Sequence, residues 1–275
     1  MRLGISSFTF PWAVGVPGYP PPAPMDQMEL LRRAIALGAE VLQIGDNLPL
    51  HLLDERALDV LQSQAEAAGI GLEVGTRGVQ PEHLRAYLRL AQRFGSPILR
   101  LVTDTATYQP SDDELVALLR PLLPELEKAG VMLAIENHGR QTAAQLLAVL
   151  ERLGSAQVGI CLDTANSFGA LEMPEAVAEL LGPWTVNLHV KDFRVRRLSH
   201  QLGYVIEGCP LGEGQLGLEG LLQRLRRYGR CCSAILEQWP PAEDTVAATI
   251  AKEAAWAEAG VAYLRRCLDD LARAP

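Results

Sequence analysis

The chain alternates short apolar runs with longer segments whose apolar residues recur at helical spacing, and this alternation restricts its fold more than any other feature. Short apolar runs bounded by polar or turn residues are typical of buried strands. The longer segments, such as residues 115–126, carry the stripe of one buried helix face. The runs predict eight strands, near residues 2–7, 41–45, 70–75, 98–102, 131–136, 158–163, 185–190 and 233–237.

A glycine follows each of seven helical stripes and stands shortly before the next strand. Glycine is favoured there because the residue that closes a helix often adopts a left-handed conformation, which a Cβ atom disfavours. These glycines are Gly38, Gly69, Gly95, Gly130, Gly154, Gly182 and Gly229. The repeated unit is therefore one strand and one helix, and eight units predict a (β/α)₈ TIM barrel in a single domain over residues 1–275.

The composition excludes several classes of protein. The net charge is −8 with arginines scattered along the helices, so the basic surface of a nucleic-acid-binding protein is missing. We find no apolar run of the roughly 18 to 20 residues that span a membrane, and the first residues do not resemble a signal peptide. The five cysteines form no CxxC pair, which favours reduced thiols. We expect a cytoplasmic protein that binds neither nucleic acid nor membrane.

Polar residues stand at the ends of the last four predicted strands: Glu136, Asp163, His189 and Glu237. Because the loops after the strands of a barrel converge on one face, these side chains are expected to meet. Taken singly, each has an ordinary explanation, such as capping a helix or lying at a solvated rim. Taken together, three carboxylates and one imidazole favour a site for one divalent ion, Mn²⁺ or Mg²⁺, with Zn²⁺ or Co²⁺ as alternatives.

Several stretches around these residues carry a family resemblance, namely AIENHG, CLDTANS, NLHVKDF, PLGEGQLG and ILEQW. In order and spacing they resemble the sugar phosphate isomerase/epimerase superfamily of xylose-isomerase-like TIM barrels, over nearly the whole chain. That resemblance implies that Glu136, Asp163, His189 and Glu237 bind the metal ion and that the two glutamates are the acid/base pair. Members often pair, so a homodimer is also expected. The stretches SSFTFPWAVGVPGYP, QIGDNLPLH and EVGTRG resemble a sub-branch that includes 3-oxo-isoapionate decarboxylases.

Two reactions are compatible with such a site. The leading expectation is a metal-dependent isomerase or epimerase that acts on a small ketose or related sugar acid through an enediolate, with Glu136 and Glu237 moving the proton. The alternative is a decarboxylase of a 3-oxo sugar acid such as 3-oxo-isoapionate, because loss of a carboxylate gives the same enediolate. Ketose 3-epimerases generally have a histidine three residues after the metal-binding aspartate, where this chain has Asn166. A non-catalytic sugar-binding module is the alternative outside enzymes.

Six further residues are candidates for contact with the small-molecule substrate: His138, Asn166, Lys191, Arg194, His51 and Trp12. His138 lies two residues after Glu136, on the same side of the strand. The long connection over 191–214 begins with cationic residues, which are suited to a substrate carboxylate or phosphate if they are not simply solvated. This connection is also long enough to cover the site as a lid.

Overall fold

The computed structural model describes residues 1–273 and contains a closed barrel of parallel strands, which confirms the predicted (β/α)₈ fold. Each observed strand begins and ends within two residues of its predicted bounds. Around the barrel the order is β1, β2, β3, β4, β5, β6, β7 and β10. These strands are β1 (Arg2–Ser6), β2 (Val41–Ile44), β3 (Gly71–Arg77), β4 (Ile98–Val102), β5 (Met132–Glu136), β6 (Val158–Asp163), β7 (Thr185–Val190) and β10 (Ser233–Leu236).

Helices connect the strands and cover the outside of the barrel. They are α1 (Pro11–Val14), α2 (Gln27–Ala36), α3 (Glu55–Ala67), α4 (Pro81–Phe94), α5 (Asp112–Leu119), α6 (Leu123–Ala129), α7 (Ala143–Leu153), α8 (Pro174–Leu181), α9 (Leu218–Arg226) and α10 (Val246–Arg273). The predicted helical segment 115–126 is divided between α5 and α6 by a 3₁₀ turn at Arg120–Leu122, because Pro121 has no N–H to continue the α-helical hydrogen bonds. Within residues 1–273, no helix is both long and apolar enough to cross a membrane.

The glycines that end the helical stripes adopt the expected left-handed conformation with one exception. Gly38, for example, has φ of 67°, and five of the other six also have positive φ. The prediction was wrong for Gly182, which has φ of −52° and begins a 3₁₀ turn. A Cβ atom at Gly182 would lie 3.0 Å from the ring of Tyr228. Close packing, rather than backbone conformation, therefore explains this glycine.

The barrel strands carry a small apolar cluster and a larger layer of buried polar side chains. The apolar cluster consists of Ile98, Ala134, Cys161 and Val186. The polar layer consists of Ser6, Gln43, Glu73, Arg100, Glu136, Asp163, Asn187, His189, Ser233 and Glu237. Buried polar groups are costly unless they are paired, so this layer indicates a functional site at the C-terminal face of the barrel.

The connection between β7 and β10 contains an antiparallel hairpin outside the barrel. Its strands are β8 (Phe193–Arg197) and β9 (Tyr204–Gly208). Most of its side chains are exposed or half-buried. The predicted long connection over 191–214 therefore contains this hairpin, which we call the β8–β9 arm and which follows the strand that carries His189.

Glu253 joins the last helix to the first loop of the barrel. Its two carboxylate oxygens accept hydrogen bonds from the backbone N–H groups of Trp12 at 2.8 Å and Ala13 at 3.0 Å. The Glu253 carbonyl oxygen accepts a hydrogen bond from Gln238 Nε2 at 2.7 Å. Burial raises the pKa of Glu253 from 4.5 to about 7, although both backbone hydrogen bonds favour the carboxylate.

Glu253→Gln is expected to reduce the pH dependence of folding stability. The unfolded chain loses this proton near pH 4.5 and the folded protein near pH 7, so the free energy of unfolding falls as pH rises through this window. The decrease is on the order of 3 kcal/mol, since one pKa unit corresponds to about 1.4 kcal/mol. Urea unfolding at pH 5 and pH 8 measures the difference. The exposed Glu258→Gln is the matched control, and an unaltered pH slope in Glu253→Gln would contradict the assignment.

Candidate functional site

The four polar residues at the strand ends meet inside the mouth of the barrel. The Nδ1 atom of His189 lies 3.4 Å from Glu136 Oε2, 3.9 Å from Asp163 Oδ2 and 3.4 Å from Glu237 Oε1. All four side chains are buried. The residues that precede them point the other way, into the hydrophobic core shared with the helices; these are Ile135, Leu162, Leu188 and Leu236. Strand alternation thus explains why the four polar residues face inward together.

A hydrogen bond with Gln43 fixes the orientation of the His189 imidazole. His189 Nε2 lies 2.6 Å from Gln43 Oε1. The Gln43 amide cannot be reversed without losing its donor contacts, because its Nε2 donates to Glu73 Oε2 at 3.0 Å and to Asn187 Oδ1 at 3.1 Å. We therefore assign the proton of neutral His189 to Nε2. The Nδ1 lone pair is then directed toward the three carboxylates.

Two buried cations lie among the carboxylates. Arg100 donates from Nε to Glu136 Oε2 and from Nη1 to Asp46 Oδ1, the latter at 2.7 Å. The Nζ atom of Lys191 lies 2.6 Å from Asp163 Oδ2 and 3.0 Å from Glu237 Oε2. Burial disfavours the charge on both cations, but the surrounding carboxylates outweigh it and raise both pKa values above their ordinary range. Both groups are therefore charged at neutral pH.

These cations also act on the two glutamates. Both carboxylate oxygens of Glu136 are engaged, Oε2 by Arg100 and Oε1 by Asn166 Nδ2 at 2.8 Å. Glu237 Oε1 accepts a hydrogen bond from the Ser6 hydroxyl at 2.8 Å. Burial alone would raise the pKa of Glu237, but His189, Lys191 and Arg100 together lower it to about 2. Glu237 is therefore ionised and weakly basic.

The site contains buried atoms that lack a hydrogen-bond partner within the described chain. They include His189 Nδ1 and Glu237 Oε2, although the latter forms an ion pair with Lys191. One ligand atom from each of Asp163, His189 and Glu237 lies within 4.8 Å of the others. Carboxylate oxygens and an imidazole lone pair are ordinary ligands of divalent metals. The residues therefore fit a divalent metal ion.

Comparisons with known proteins agree with this architecture. A family model described as xylose isomerase-like TIM barrel matches residues 31–267. The chain belongs to this family. This xylose isomerase-like barrel is 35% identical, over 264 residues, to the 3-oxo-isoapionate decarboxylase of Pectobacterium atrosepticum. That alignment covers 96% of this chain and 95% of the relative, which confirms the resemblance noted from the sequence.

Solved structures support the fold at much lower sequence identity. A D-psicose 3-epimerase determined with D-fructose is 15% identical with a TM-score of 0.74, and the match covers 98% of this chain and 99% of that one. A xylose isomerase-like TIM barrel protein from Mycobacterium smegmatis in complex with magnesium is 14% identical, with a TM-score of 0.66. Here the match covers 94% of this chain and 96% of that one. The M. smegmatis complex shows a metal ion in a protein of the same fold.

Three of the predicted substrate contacts lie beside the four strand-end residues of this xylose isomerase-like barrel. Asn166 donates to Glu136, and Lys191 pairs with Asp163 and Glu237. His138 is half-buried beside them and accepts a hydrogen bond at Nε2 from Arg77 Nη2 at 3.1 Å.

The other three predicted contacts lie on different parts of the rim. His51 Nδ1 lies 2.9 Å from the Tyr87 hydroxyl. Trp12 donates from Nε1 to the carbonyl oxygen of Pro240 at 3.1 Å. Arg194 is exposed on the β8–β9 arm, where its Nη2 donates to the Glu213 carbonyl oxygen at 3.2 Å. The structure therefore does not bring these three side chains into contact with the four strand-end residues.

The glycine-rich PLGEGQLG stretch surrounds one aspartate next to the site. Asp192 Oδ2 accepts the backbone N–H groups of Gly212 at 2.9 Å and Gly214 at 3.0 Å, and Oδ1 accepts that of Leu216 at 3.1 Å. A Cβ atom at Gly214 would lie 2.1 Å from Asp192 Oδ1. The stretch therefore binds the carboxylate of its own chain and holds in place the backbone adjoining Lys191.

Gln43→Leu is expected to lower the affinity of the site for Mn²⁺ by about 10- to 100-fold, because His189 would lose the acceptor that fixes its tautomer. Isothermal titration calorimetry with MnCl₂ measures the change, and near-ultraviolet circular dichroism checks that the variant folds. Gln64→Leu, at an exposed position of α3, is the control. Equal affinity in Gln43→Leu and Gln64→Leu would mean that Gln43 does not orient a metal ligand.

Proposed function

We propose that this protein is a metal-dependent decarboxylase of a 3-oxo sugar acid of the 3-oxo-isoapionate class. The observation that carries the proposal is the 35% identity to a 3-oxo-isoapionate decarboxylase over 96% of the chain. The low pKa of Glu237 and the cations among the strand-end carboxylates support it. The proposal departs from the isomerase or epimerase that was the leading expectation from the sequence.

Isomerisation or epimerisation requires a base that removes a proton from carbon. An effective base has an accessible lone pair and a pKa near the working pH. Glu136 is held by Arg100 and Asn166, and the pKa of Glu237 is lowered to about 2. The low pKa of Glu237 makes this carboxylate a poor base. Decarboxylation of a 3-oxo acid does not begin with proton removal, so this environment does not impede it.

The charge balance favours an anionic substrate. Four carboxylates face three cations, and a divalent ion would give this group a net charge of +1. The carboxylates are Asp46, Glu136, Asp163 and Glu237, and the cations are Arg77, Arg100 and Lys191. A neutral ketose gains little from that charge, whereas a sugar acid is attracted by it. The ligand set Glu136, Asp163, His189 and Glu237 would hold Mn²⁺ or Mg²⁺.

The reaction transfers one electron pair. The bond between the carboxylate carbon and its neighbour breaks, and its electrons move to the 3-oxo oxygen, giving CO₂ and an enediolate. When bound, the divalent ion supplies Lewis-acid stabilisation of that developing oxygen charge. Lys191 carries a proton at neutral pH within 3.0 Å of Glu237 Oε2. We assign to it the return of a proton to the carbon that lost CO₂, because an enediolate carbon is basic enough to take a proton from an ammonium group with a raised pKa.

Incubation of the purified protein with Mn²⁺ or Mg²⁺ and a 3-oxo sugar acid in D₂O tests the reaction. We expect release of CO₂ and a ketose that carries one deuterium at the carbon that lost the carboxylate, as measured by NMR. Small ketoses incubated under the same conditions should not exchange carbon-bound hydrogen. Exchange in a ketose without CO₂ release would overturn the proposal and favour the isomerase or epimerase.

Lys191→Met should slow steady-state formation of the ketose by about 100-fold or more, in the range expected for loss of a general acid. The same variant should bind Mn²⁺ more tightly, because it removes a cation that lies 2.6 Å from Asp163 Oδ2. Turnover assays and calorimetry measure the two effects separately. Lys128→Met on the surface of α6 is the control. Unchanged turnover in Lys191→Met would remove the proton-return role from Lys191.

A further inference from the structure

A second cluster of charged side chains lies at the mouth of the barrel and has no part in the steps above. It consists of Arg77 at the end of β3, Asp104 after β4, and His138 and Arg140 after β5. The side chains of Arg77, His138 and Arg140 are 31%, 35% and 29% exposed, so each is partly accessible to solvent. We call these four residues the mouth cluster.

Asp104 occupies the middle of this cluster without a hydrogen bond to the other three. Its Oδ1 lies 3.6 Å from Arg77 Nη1 and 3.9 Å from His138 Nδ1, and its Oδ2 lies 3.9 Å from Arg140 Nε. These separations exceed the 2.7 to 3.2 Å usual for a hydrogen bond from nitrogen to oxygen. Oδ1 is also buried without a hydrogen-bond partner among the described residues. The carboxylate is therefore attracted to three donors but is loosely held.

Arg140 presents donors that no acceptor in the described chain satisfies. Its Nε and Nη2 atoms are buried and have no hydrogen-bond partner. In a guanidinium these two nitrogens form one edge, which pairs with both oxygens of a carboxylate. Buried donors without acceptors are rare, and an unpaired one carries a desolvation cost. Arg140 could therefore form shorter hydrogen bonds with another anion than it forms with Asp104, whose Oδ2 lies 3.9 Å from its Nε.

Arg77 and His138 are held in orientations that complete this arrangement. Arg77 Nε donates to Asp46 Oδ2 at 3.1 Å, and Arg77 Nη2 donates to His138 Nε2 at 3.1 Å. Because His138 Nε2 accepts this bond, neutral His138 carries its proton on Nδ1, the atom nearer Asp104. Three donor side chains therefore face the carboxylate of Asp104.

The mouth cluster is linked to the metal-binding residues through ion pairs. Asp46 binds Arg77 with one oxygen and Arg100 with the other, at 3.1 and 2.7 Å, and Arg100 binds Glu136. Asp46 and Arg77 belong to the QIGDNLPLH and EVGTRG stretches of the sequence. The mouth cluster and the metal-binding residues are therefore joined by one network of ion pairs.

We propose that Arg77, His138 and Arg140 bind the carboxylate of the substrate, and that Asp104 competes with that carboxylate for the three donors. This inference rests on the proposed function and assigns the position of the leaving group. The 3-oxo oxygen would face the metal ligands while the carboxylate occupies the mouth cluster. The C–C bond that breaks would then lie between the two sites, and the departing CO₂ would be on the side away from the metal ligands.

Removing a positive charge from the mouth cluster and removing its negative charge should have opposite effects on substrate binding. Arg140→Gln should raise the KM for the 3-oxo acid by about tenfold or more, because a charge-assisted hydrogen-bonded pair is lost. Asp104→Asn should lower KM, because a neutral amide competes less for the arginines. Neither variant should change the inhibition constant of a neutral ketose, which carries no carboxylate. Arg152→Gln, an exposed arginine on α7, is the matched control.

A raised KM in Asp104→Asn, or an unchanged KM in Arg140→Gln, would overturn the subsite. A purely structural ion cluster predicts that Asp104→Asn impairs binding, so the sign of its effect separates the two roles. Arg140→Lys keeps the charge but loses the paired nitrogens, and its KM should fall between those of wild type and Arg140→Gln. Urea unfolding checks that each variant is folded.

A binding measurement without turnover separates this inference from the proposed function. In the metal-loaded full chain with ¹⁵N-labelled arginine, the Arg140 Nε resonance is identified by its loss in Arg140→Gln. Saturable shifts of that resonance with acetate support a carboxylate subsite, and shifts with inorganic phosphate alone would overturn it in favour of a phosphate subsite. No shift with either anion would also overturn it. Failure of the proposed function would instead show as no CO₂ release by the wild-type protein.

Discussion

The mutual repulsion of three buried carboxylates around one imidazole is the constraint on which the site depends. Glu136, Asp163 and Glu237 each approach His189 Nδ1 to within 3.9 Å, in surroundings where unpaired charge is costly. The chain meets that constraint with its own cations as well as with a ligand set that fits a metal ion. Arg100 pairs with Glu136, and Lys191 pairs with Asp163 and Glu237, so each of the three carboxylates has a cation beside it.

Much of the fold was predictable because its determinants are local in sequence. Apolar runs and glycine positions located every barrel strand to within two residues, and most helix ends followed from the need for a left-handed residue. Gly182 does not follow this rule. A glycine is needed there because a Cβ atom would lie too close to the ring of Tyr228, which belongs to another βα unit. Contacts between units of this kind have no signature in a local pattern.

The meeting of the four strand-end residues was predictable from the sequence, whereas the presence of Arg100 beside them was not. The four strand-end residues could be placed together because the barrel topology brings consecutive strand ends to one face. Arg100 was missed although it interrupts the apolar run ILRLV, where a charged residue must face the barrel interior. Arg194 and Trp12 lie away from the four strand-end residues because their positions depend on the path of the long connections. Strand periodicity does not determine that path. For Arg100, the available signal was a charged residue in the middle of a buried strand.

The location of Arg100 within a strand has a consequence for the evolution of such barrels. Reaction type in this architecture is commonly attributed to the loops that vary between relatives. Here Arg100, which forms an ion pair with Glu136, lies within the barrel strand β4. Its guanidinium is buried and is held in place by Asp46. Exchanging loops between two relatives would therefore leave the ion pair between Arg100 and Glu136 in place, whereas a single replacement in β4 would remove it.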